Sequence, residues 1–536
     1  MDAMNAKIQS LWRALTGRAA PLWVVAACAF AYANALGGPF VFDDLPAIVL
    51  NEHLPPASFT ECFAAPAGST ASGRPLVALS FALNHALFGT EVTGWHATNL
   101  ILHILTALAL LSLARETLKR RGHERGDAAA FAIALLWSVH PLLSDAINLI
   151  ASRSELMVSL AYLCVLLCLT KSATDARPWS ALCVLACLAG MVSKEVMVGA
   201  PLIAIAWDRS FLSGSWRAAW RERRGLHLSL AATWFVLAAC VWASDRGESV
   251  SLGTTVVSAY ESLCTQAGAI VHYLRLFFWP AALSIDYADW PVARDFTQIL
   301  PQALALLVLG VLALCRFISR HADGLLLVIF FVILWPSSSL IPLTGELVAE
   351  HRMYLASAPL LALIVLAVQR YLPSGALIAL TLLFTPTLLM LTRARNEEWS
   401  SARAIWESAT VVRPANARAW NSLGVAQKIE GRLEEAARAW HEALLHDPDD
   451  YHAHGNLGKH YARENDAARS IHHFGLAVKA EPDDLGLRFE LGSILLVTGD
   501  ASGAEEHLSI VLRLASESWE FREKAERRLA RARQQR

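Results

Sequence analysis

The chain has 536 residues, 55% of them hydrophobic and only 17% charged, with a formal net charge of −1 and a mean hydropathy of +0.39. Soluble domains carry about 25% charged residues, and here the apolar excess is gathered into runs between Pro21 and Leu391. That excludes a single soluble domain, a fibrous protein and a disordered chain, and without a basic domain nucleic acid is not an expected partner.

Only eight of the 46 basic residues are Lys, and Ala is abundant, which points to a GC-rich bacterial genome. The apolar runs read as membrane helices, because a bilayer core takes about 20 helical residues and leaves no lipid-facing backbone group unpaired. Spans are expected at 20–39, 95–114, 128–145, 155–171, 178–193, 196–212, 226–244, 300–317, 324–343, 354–370 and 374–392. The first follows Lys7, Arg13 and Arg18 and reads as a retained signal-anchor. In the loop after it, Arg74 to Phe88 looks like a helix lying in the membrane interface. On the second span His96, Asn99 and His103 share one face, where hydrogen bonds between helices are favoured over a metal. Cys164 with Cys168 and Cys183 with Cys187 sit at i, i+4 with no C-x-x-C, so they read as small buried residues.

Loops rich in Arg and Lys mark the cytoplasmic side. Here these are 115–127, 209–225 and the turn with Arg316 and Arg320. All three share the N-terminal side only if the stretch 252–282 enters and leaves on the far side, as a re-entrant or interfacial helix. Eleven spans then remain, and the C-terminal domain lies in the periplasm or its equivalent. Arg393 and Arg395 run against the charge rule there.

The tail repeats. Pro414, Pro448 and Pro482 are 34 residues apart, and Leu423-Gly424, Leu457-Gly458 and Leu491-Gly492 keep the same period. Ala409, Ala443 and Ala477 follow it, as do Trp406, Trp440, Phe474 and Leu508. This is the tetratricopeptide pattern of paired helices. The domains expected are therefore 1–395 in the membrane, with a first external loop at 40–94, and 396–536 outside it. Within the second, 396–416 supply a lone helix, 417–450, 451–484 and 485–516 are repeats, and 517–536 form a cap. The concave face of such a stack binds a peptide or protein, favoured here over a rigid spacer.

Ionisable groups at a bilayer are costly and usually mark function. In this chain they gather on the far side: Asp43 and Asp44 after the first span, then His140, Asp145, Arg153 and Glu155. Lys194 and Glu195 follow, then Asp286, and finally Glu346, Glu350, His351, Arg352 and Tyr354. Five loops contributing polar groups to one face suggest a shared cavity. An acid pair at its mouth can supply a general base, and Arg153, Lys194 and Arg352 can neutralise a leaving phosphate. Base plus phosphate clamps suit transfer from a lipid-phosphate donor.

At this point the chain resembles the transmembrane-and-tetratricopeptide O-mannosyltransferases of the ER and their bacterial relatives, in the GT-C glycosyltransferase superfamily. The resemblance rests on Phe42-Asp43-Asp44 with Asn51, Arg74-Pro75-Leu76, Gly94-Trp95-His96 with Asn99, and Val139-His140-Pro141 with Asp145, Arg153 and Glu155. Ser193-Lys194-Glu195 with Pro201 and Asp208, Tyr273-Leu274-Arg275, Leu283-Ser284-Ile285-Asp286-Tyr287, and Glu350 with Tyr354-Leu355 complete it. It implies an all-α membrane domain of GT-C type carrying an α-solenoid, in the bacterial inner membrane. The implied reaction is an inverting transfer of a sugar, mannose by family, from a polyprenyl-phosphate donor to a protein acceptor.

Asp43 and Asp44 inherit the catalytic carboxylate role. His140, Arg153, Glu155, Lys194, Glu195, Asp286, Glu350 and Arg352 line the donor-phosphate cavity. No resident metal is assigned, a divalent cation is left open, and membrane lipid and the acceptor are the other partners. The family often has Glu-Arg ahead of Tyr-Leu-Pro-Ser, whereas here His351 follows Glu350 and Ala356 replaces the Pro. Two other readings are a membrane-anchored repeat scaffold and a ligase or polymerase of lipid-linked oligosaccharide.

Overall fold

The computed structural model describes residues 15–56, 58–66, 68–244, 257–338, 346–373, 375–517 and 519–536. Lys7, Arg13, residues 252–256 and residues 339–343, which figure in the expectations above, lie outside them. The chain divides into two compact units, Met1–Ile285 with Trp290–Ser401, and Asp286–Asp289 with Ala402–Arg536. Among the described residues all regular structure is helical.

In the first unit the helices are α1 (Ala20–Tyr32), α2 (Pro75–Phe88), α3 (Val92–Arg120), α4 (Gly126–Ser138), α5 (Arg153–Ser172), α6 (Ala176–Met191) and α7 (Ala200–Trp207). They continue as α8 (Trp216–Trp242), α9 (Ala259–Phe278), α10 (Leu300–Ile318), α11 (Ala322–Leu334), α12 (Met353–Tyr371) and α13 (Ala376–Glu398). Among the described residues six helices are long and apolar enough to cross a bilayer, or seven if α4 and the bent turns after it, Pro141–Asn148, form one broken span. This is the body of an integral membrane protein. Further apolar helices at Ala20–Ala35, Pro75–Phe88, Arg177–Met191 and Ala322–Leu334 are shorter.

Among the described residues each of the eleven expected spans has helix within it, but 196–212 and 128–145 are interrupted. The stretch 196–212 is the eight-residue α7 between a 3₁₀ turn and a π turn. Pro201 is at its start, where it has no N–H to give a preceding turn. The stretch 128–145 bends by 55° at His140-Pro141. The helix α9 is not among those apolar enough to span, and it opens with a capping box between Ser258 and Glu261.

The core runs along α4, in which Ala129, Ala130, Ala132 and Ala134 are all buried. Small side chains let neighbouring backbones approach closely where lipid supplies no hydrophobic drive. Around α4 pack α3, α12 and α13, with α5 against α3. The helices α5 and α12 are mostly buried, whereas α8, α10 and α13 form the periphery. The N-terminal ends of α5 and α12 carry the polar residues discussed below.

The second unit comprises α14 (Ala402–Val412), α15 (Ala417–Ile429), α16 (Leu433–His446), α17 (Tyr451–Arg463), α18 (Ala467–Ala480), α19 (Leu485–Thr498), α20 (Ala501–Leu514) and α21 (Arg522–Gln535). Apart from Asp286–Asp289 it runs from Ala402, after α13, which continues to Glu398. The 34-residue marks have direct physical meaning. A Cβ on Gly424 would lie 2.4 Å from the Trp440 indole, one on Gly458 2.8 Å from Phe474, and one on Gly492 2.9 Å from Leu508. Each glycine therefore seats the bulky residue of its partner helix. The last helix, α21, packs Ala525, Leu529 and Ala532 against Leu508 and Val511 and closes the stack.

Candidate functional site

The turn after α1 holds the acid pair. Asp44 is fully buried and accepts the backbone N–H of Val41 at 3.1 Å and of Ala151 at 2.6 Å. Both its oxygens are thus committed to backbone, and Phe42 ahead of it takes a left-handed φ of 50° to make the turn. Burial pushes the Asp44 carboxyl up to about 8, against the pull of the two N–H donors. Asp43 is half-buried, and its charge acts on Arg74 as well as on Asp44.

Arg74 precedes α2 and reaches Glu195 at 3.0 Å and Ser154 Oγ at 3.3 Å. Burial lowers it to about 10, countered by Glu155 and Asp43. Beside it Lys194 Nζ donates to Glu155 Oε1 at 2.5 Å, with side-chain exposures of only 13% and 7%. Burial brings Lys194 down to about 8; Glu155 opposes the shift and Arg74 adds to it. From the start of α12, His351 Nδ1 lies 3.1 Å from Asp145, and its Nε2 is 4.0 Å from both Glu155 and Glu346. Arg352 donates to the carbonyl oxygens of Leu347 and Glu346.

Arg352, Glu155 and Ser159 share one small, mostly apolar pocket of about 10 Å³ with Val158, Val196, Ile333 and Leu355. Ile333 and Leu355 also line a larger apolar cleft of about 140 Å³ walled by α3, α5, α11 and α12. One Arg and one Glu thus lie beside the wall of the apolar cleft.

Several residues expected in the cavity are engaged elsewhere. Arg153 is fully buried; its guanidinium donates to Asn99 at 2.8 Å, to Ser80 and to the Trp95 carbonyl, and it covers the Phe81 ring. It holds α2, α3 and α5 together. His140 stacks on Phe277, bonds its carbonyl and accepts the Leu142 N–H, so it caps the turn after α4. Glu350 accepts the Ser284 N–H at 2.7 Å. Asp286 is part of the second unit, where Asn416 and Arg418 donate to it. In each case a partner distant in sequence claims the side chain.

Conversely, Arg74, Asp145 and His351 join the cluster more closely than their sequence context shows. In the sequence Arg74 stands out as the start of an interfacial helix and in the Arg74-Pro75-Leu76 stretch, not as a cavity residue. His96, Asn99 and His103 each hydrogen-bond protein atoms: Gly38, Arg153 with Ile147, and Tyr354 with Ser138.

Residues 417–450 and 456–518 match models of the tetratricopeptide repeat. The protein O-mannosyl-transferase TMTC3 of Mus musculus is 25% identical over 492 residues, covering 82% of this chain and 52% of its own. Tmtc3 of Drosophila melanogaster is 24% identical over 528 residues, covering 82% and 56%. TMTC1 of Homo sapiens is 26% identical over 509 residues, with the same two shares. Homologues of this chain are protein O-mannosyl-transferases. The chain spans about half the length of the curated relatives it matches. The similarity therefore includes both the membrane helices and repeats, as the resemblance in the sequence implied.

Proposed function

We propose that this protein is a GT-C type membrane glycosyltransferase that moves mannose from a polyprenyl-phosphate donor to a hydroxyl of a protein acceptor. The observation that carries the reading is Glu155 and Arg352 meeting at a small pocket whose Ile333 and Leu355 also line an apolar cleft. A donor made of a charged phosphate and an isoprenoid tail needs those two environments side by side. The names of the relatives supply the sugar and the class of acceptor.

In this reading Arg352, Lys194 and Arg74 face the donor phosphate, where fixed cations stabilise the charge that develops as the sugar–phosphate bond breaks. The acceptor oxygen attacks the anomeric carbon from the opposite face, the phosphate leaves with the bonding pair, and the anomeric configuration inverts. Asp43 takes the hydroxyl proton. Asp44 holds the turn that presents Asp43, since its own oxygens are bonded to backbone. Glu155, Glu195 and His351 position the cations. The repeats capture the acceptor polypeptide. With the Arg-rich loops on the cytoplasmic side, the site opens to the periplasm of a bacterial inner membrane.

The test uses purified protein in lipid, radiolabelled polyprenyl-phosphate mannose and a periplasmic protein extract. Label should move to protein with the wild type and not with Asp43→Asn. A wild-type protein that binds no polyprenyl-phosphate sugar would overturn the proposal and favour a scaffold.

A further inference from the structure

We propose that the repeats hold a divalent transition-metal ion between Glu434, His460 and Glu464. Glu434 lies in the first turn of α16, His460 in the last turn of α17, and Glu464 caps that helix. The fold brings one ligand atom of each to within 4.8 Å of the others. His460 and Glu464 are one helical turn apart, and Glu434 arrives from the preceding repeat, so the set would clip two successive repeats together.

Two observations point to an ion rather than to a solvated acidic patch. His460 is 6% exposed, packed against Trp440 and Tyr461. Its Nε2 points at Glu464 Oε1 at 3.4 Å, longer than the 2.7–3.2 Å usual for N–H···O. The ring is therefore held rigidly by packing, with a nitrogen aimed into the site. Second, among the described residues no Arg or Lys is within ion-pair distance of either carboxylate. Neighbouring Glu430 and Glu435 pair with Arg403 and Arg432, whereas Glu434 has no hydrogen-bond or ion-pair partner among the described residues and Glu464 has only His460. Two carboxylates this close repel each other, and a cation between them would turn that repulsion into attraction.

One imidazole and two carboxylates form an N,O,O set suited to Zn²⁺ or Mn²⁺ and unsuited to the soft Cu(I) ion. Zn²⁺ takes such ligands at about 2.0–2.2 Å, so the glutamates need close by roughly 1 Å, which exposed side chains do by rotamer change.

The experiment titrates Zn²⁺ into the full chain in detergent after chelator treatment, against a chromophoric competitor. The wild type should bind one ion more per chain than Glu434→Gln or Glu464→Gln, and Zn²⁺ should raise its thermal midpoint while leaving that of Glu434→Gln unchanged. His460→Asn should lose the same ion, but this residue is buried and the substitution can unfold the repeats. The two exposed glutamate variants keep the outcome readable. Equal stoichiometry and affinity in the wild type and both glutamate variants would overturn the proposal.

Discussion

The Asp44 carboxylate receives the backbone N–H of Ala151, 107 residues further along the chain, at 2.6 Å. Through that bond the turn carrying Asp43 is fixed to the start of the buried helix α5. The two adjacent acids therefore have separable parts to play. Asp44→Ala leaves the N–H groups of Val41 and Ala151 without their acceptor, at a cost of about 1–3 kcal/mol for each one left buried. Its thermal midpoint in detergent should drop. Asp43→Asn should lower the midpoint less than Asp44→Ala and lose transfer by about 10²–10⁴-fold, the usual contribution of a general base. Identical melting of Asp44→Ala and wild type would refute this division of labour.

Lys194 and Glu155 make a buried pair at 2.5 Å, and removing one partner of such a pair costs about 3–5 kcal/mol. Lys194→Met should therefore destabilise the protein more than the double variant with Glu155→Gln, which leaves no charge stranded. The pair also sets a pH limit. Burial lowers Lys194 to about 8, so its ammonium is lost as pH rises through that value. Transfer by the wild type should decline above about pH 8, and Lys194→Arg should extend the plateau upward, because a guanidinium stays protonated. Superimposable pH profiles for the two would remove Lys194 from the donor site.

Gly424 is a structural requirement rather than a flexible joint. A Cβ there falls 2.4 Å from Trp440, and forcing extra volume into a packed interface costs about 1–3 kcal/mol. Gly424→Ala should lower the midpoint of the repeats, and adding Trp440→Leu should recover part of the loss. Gly475, inside α18, has nothing within 4 Å of such a Cβ. Gly475→Ala should be neutral or stabilising by about 0.5–1 kcal/mol. Far-UV circular dichroism during heating distinguishes the two.

What could be read in advance divides along physical lines. The repeats were legible because Gly424, Gly458 and Gly492 recur with Trp440, Phe474 and Leu508, so one local packing rule is stated three times in the sequence. Apolar runs were legible because the bilayer imposes length and composition on a helix. The continuity of 196–212 was not, since Pro201 starts a new turn inside an apolar run. Nor could the polar residues be sorted. Arg153, His140, Glu350 and Asp286 have the same chemistry as Arg74, Lys194 and Glu155, and only the fold brings Asn99, Phe277, Ser284 and Arg418 to the first four. Sequence identifies a costly group; the partner that commits it comes from elsewhere in the chain.

The histidines of the second repeat predict how the repeats respond to acid. The Pro448 carbonyl can only accept, so His454 donates Nε2–H to it at 2.9 Å and presents Nδ1 as a lone pair. His473 Nδ1–H donates to that lone pair at 3.0 Å. The His473 ring also stacks on Tyr461 and lies near His441 and His472. Burial lowers His473 to about 4, and His454, His472, His441 and Arg469 push it the same way; burial lowers His441 too. Between about pH 6.5 and pH 4 the unfolded chain therefore holds a proton at this position that the folded chain refuses. The stabilisation is complete above about 6.5 and is lost as pH falls through that window. Thermal unfolding of the full chain should show the repeats melting earlier at pH 5 than at pH 7.5. His473→Gln keeps a donor for His454 without the titration, so it should flatten that dependence, and an unchanged slope in the variant would assign the acid sensitivity to another group.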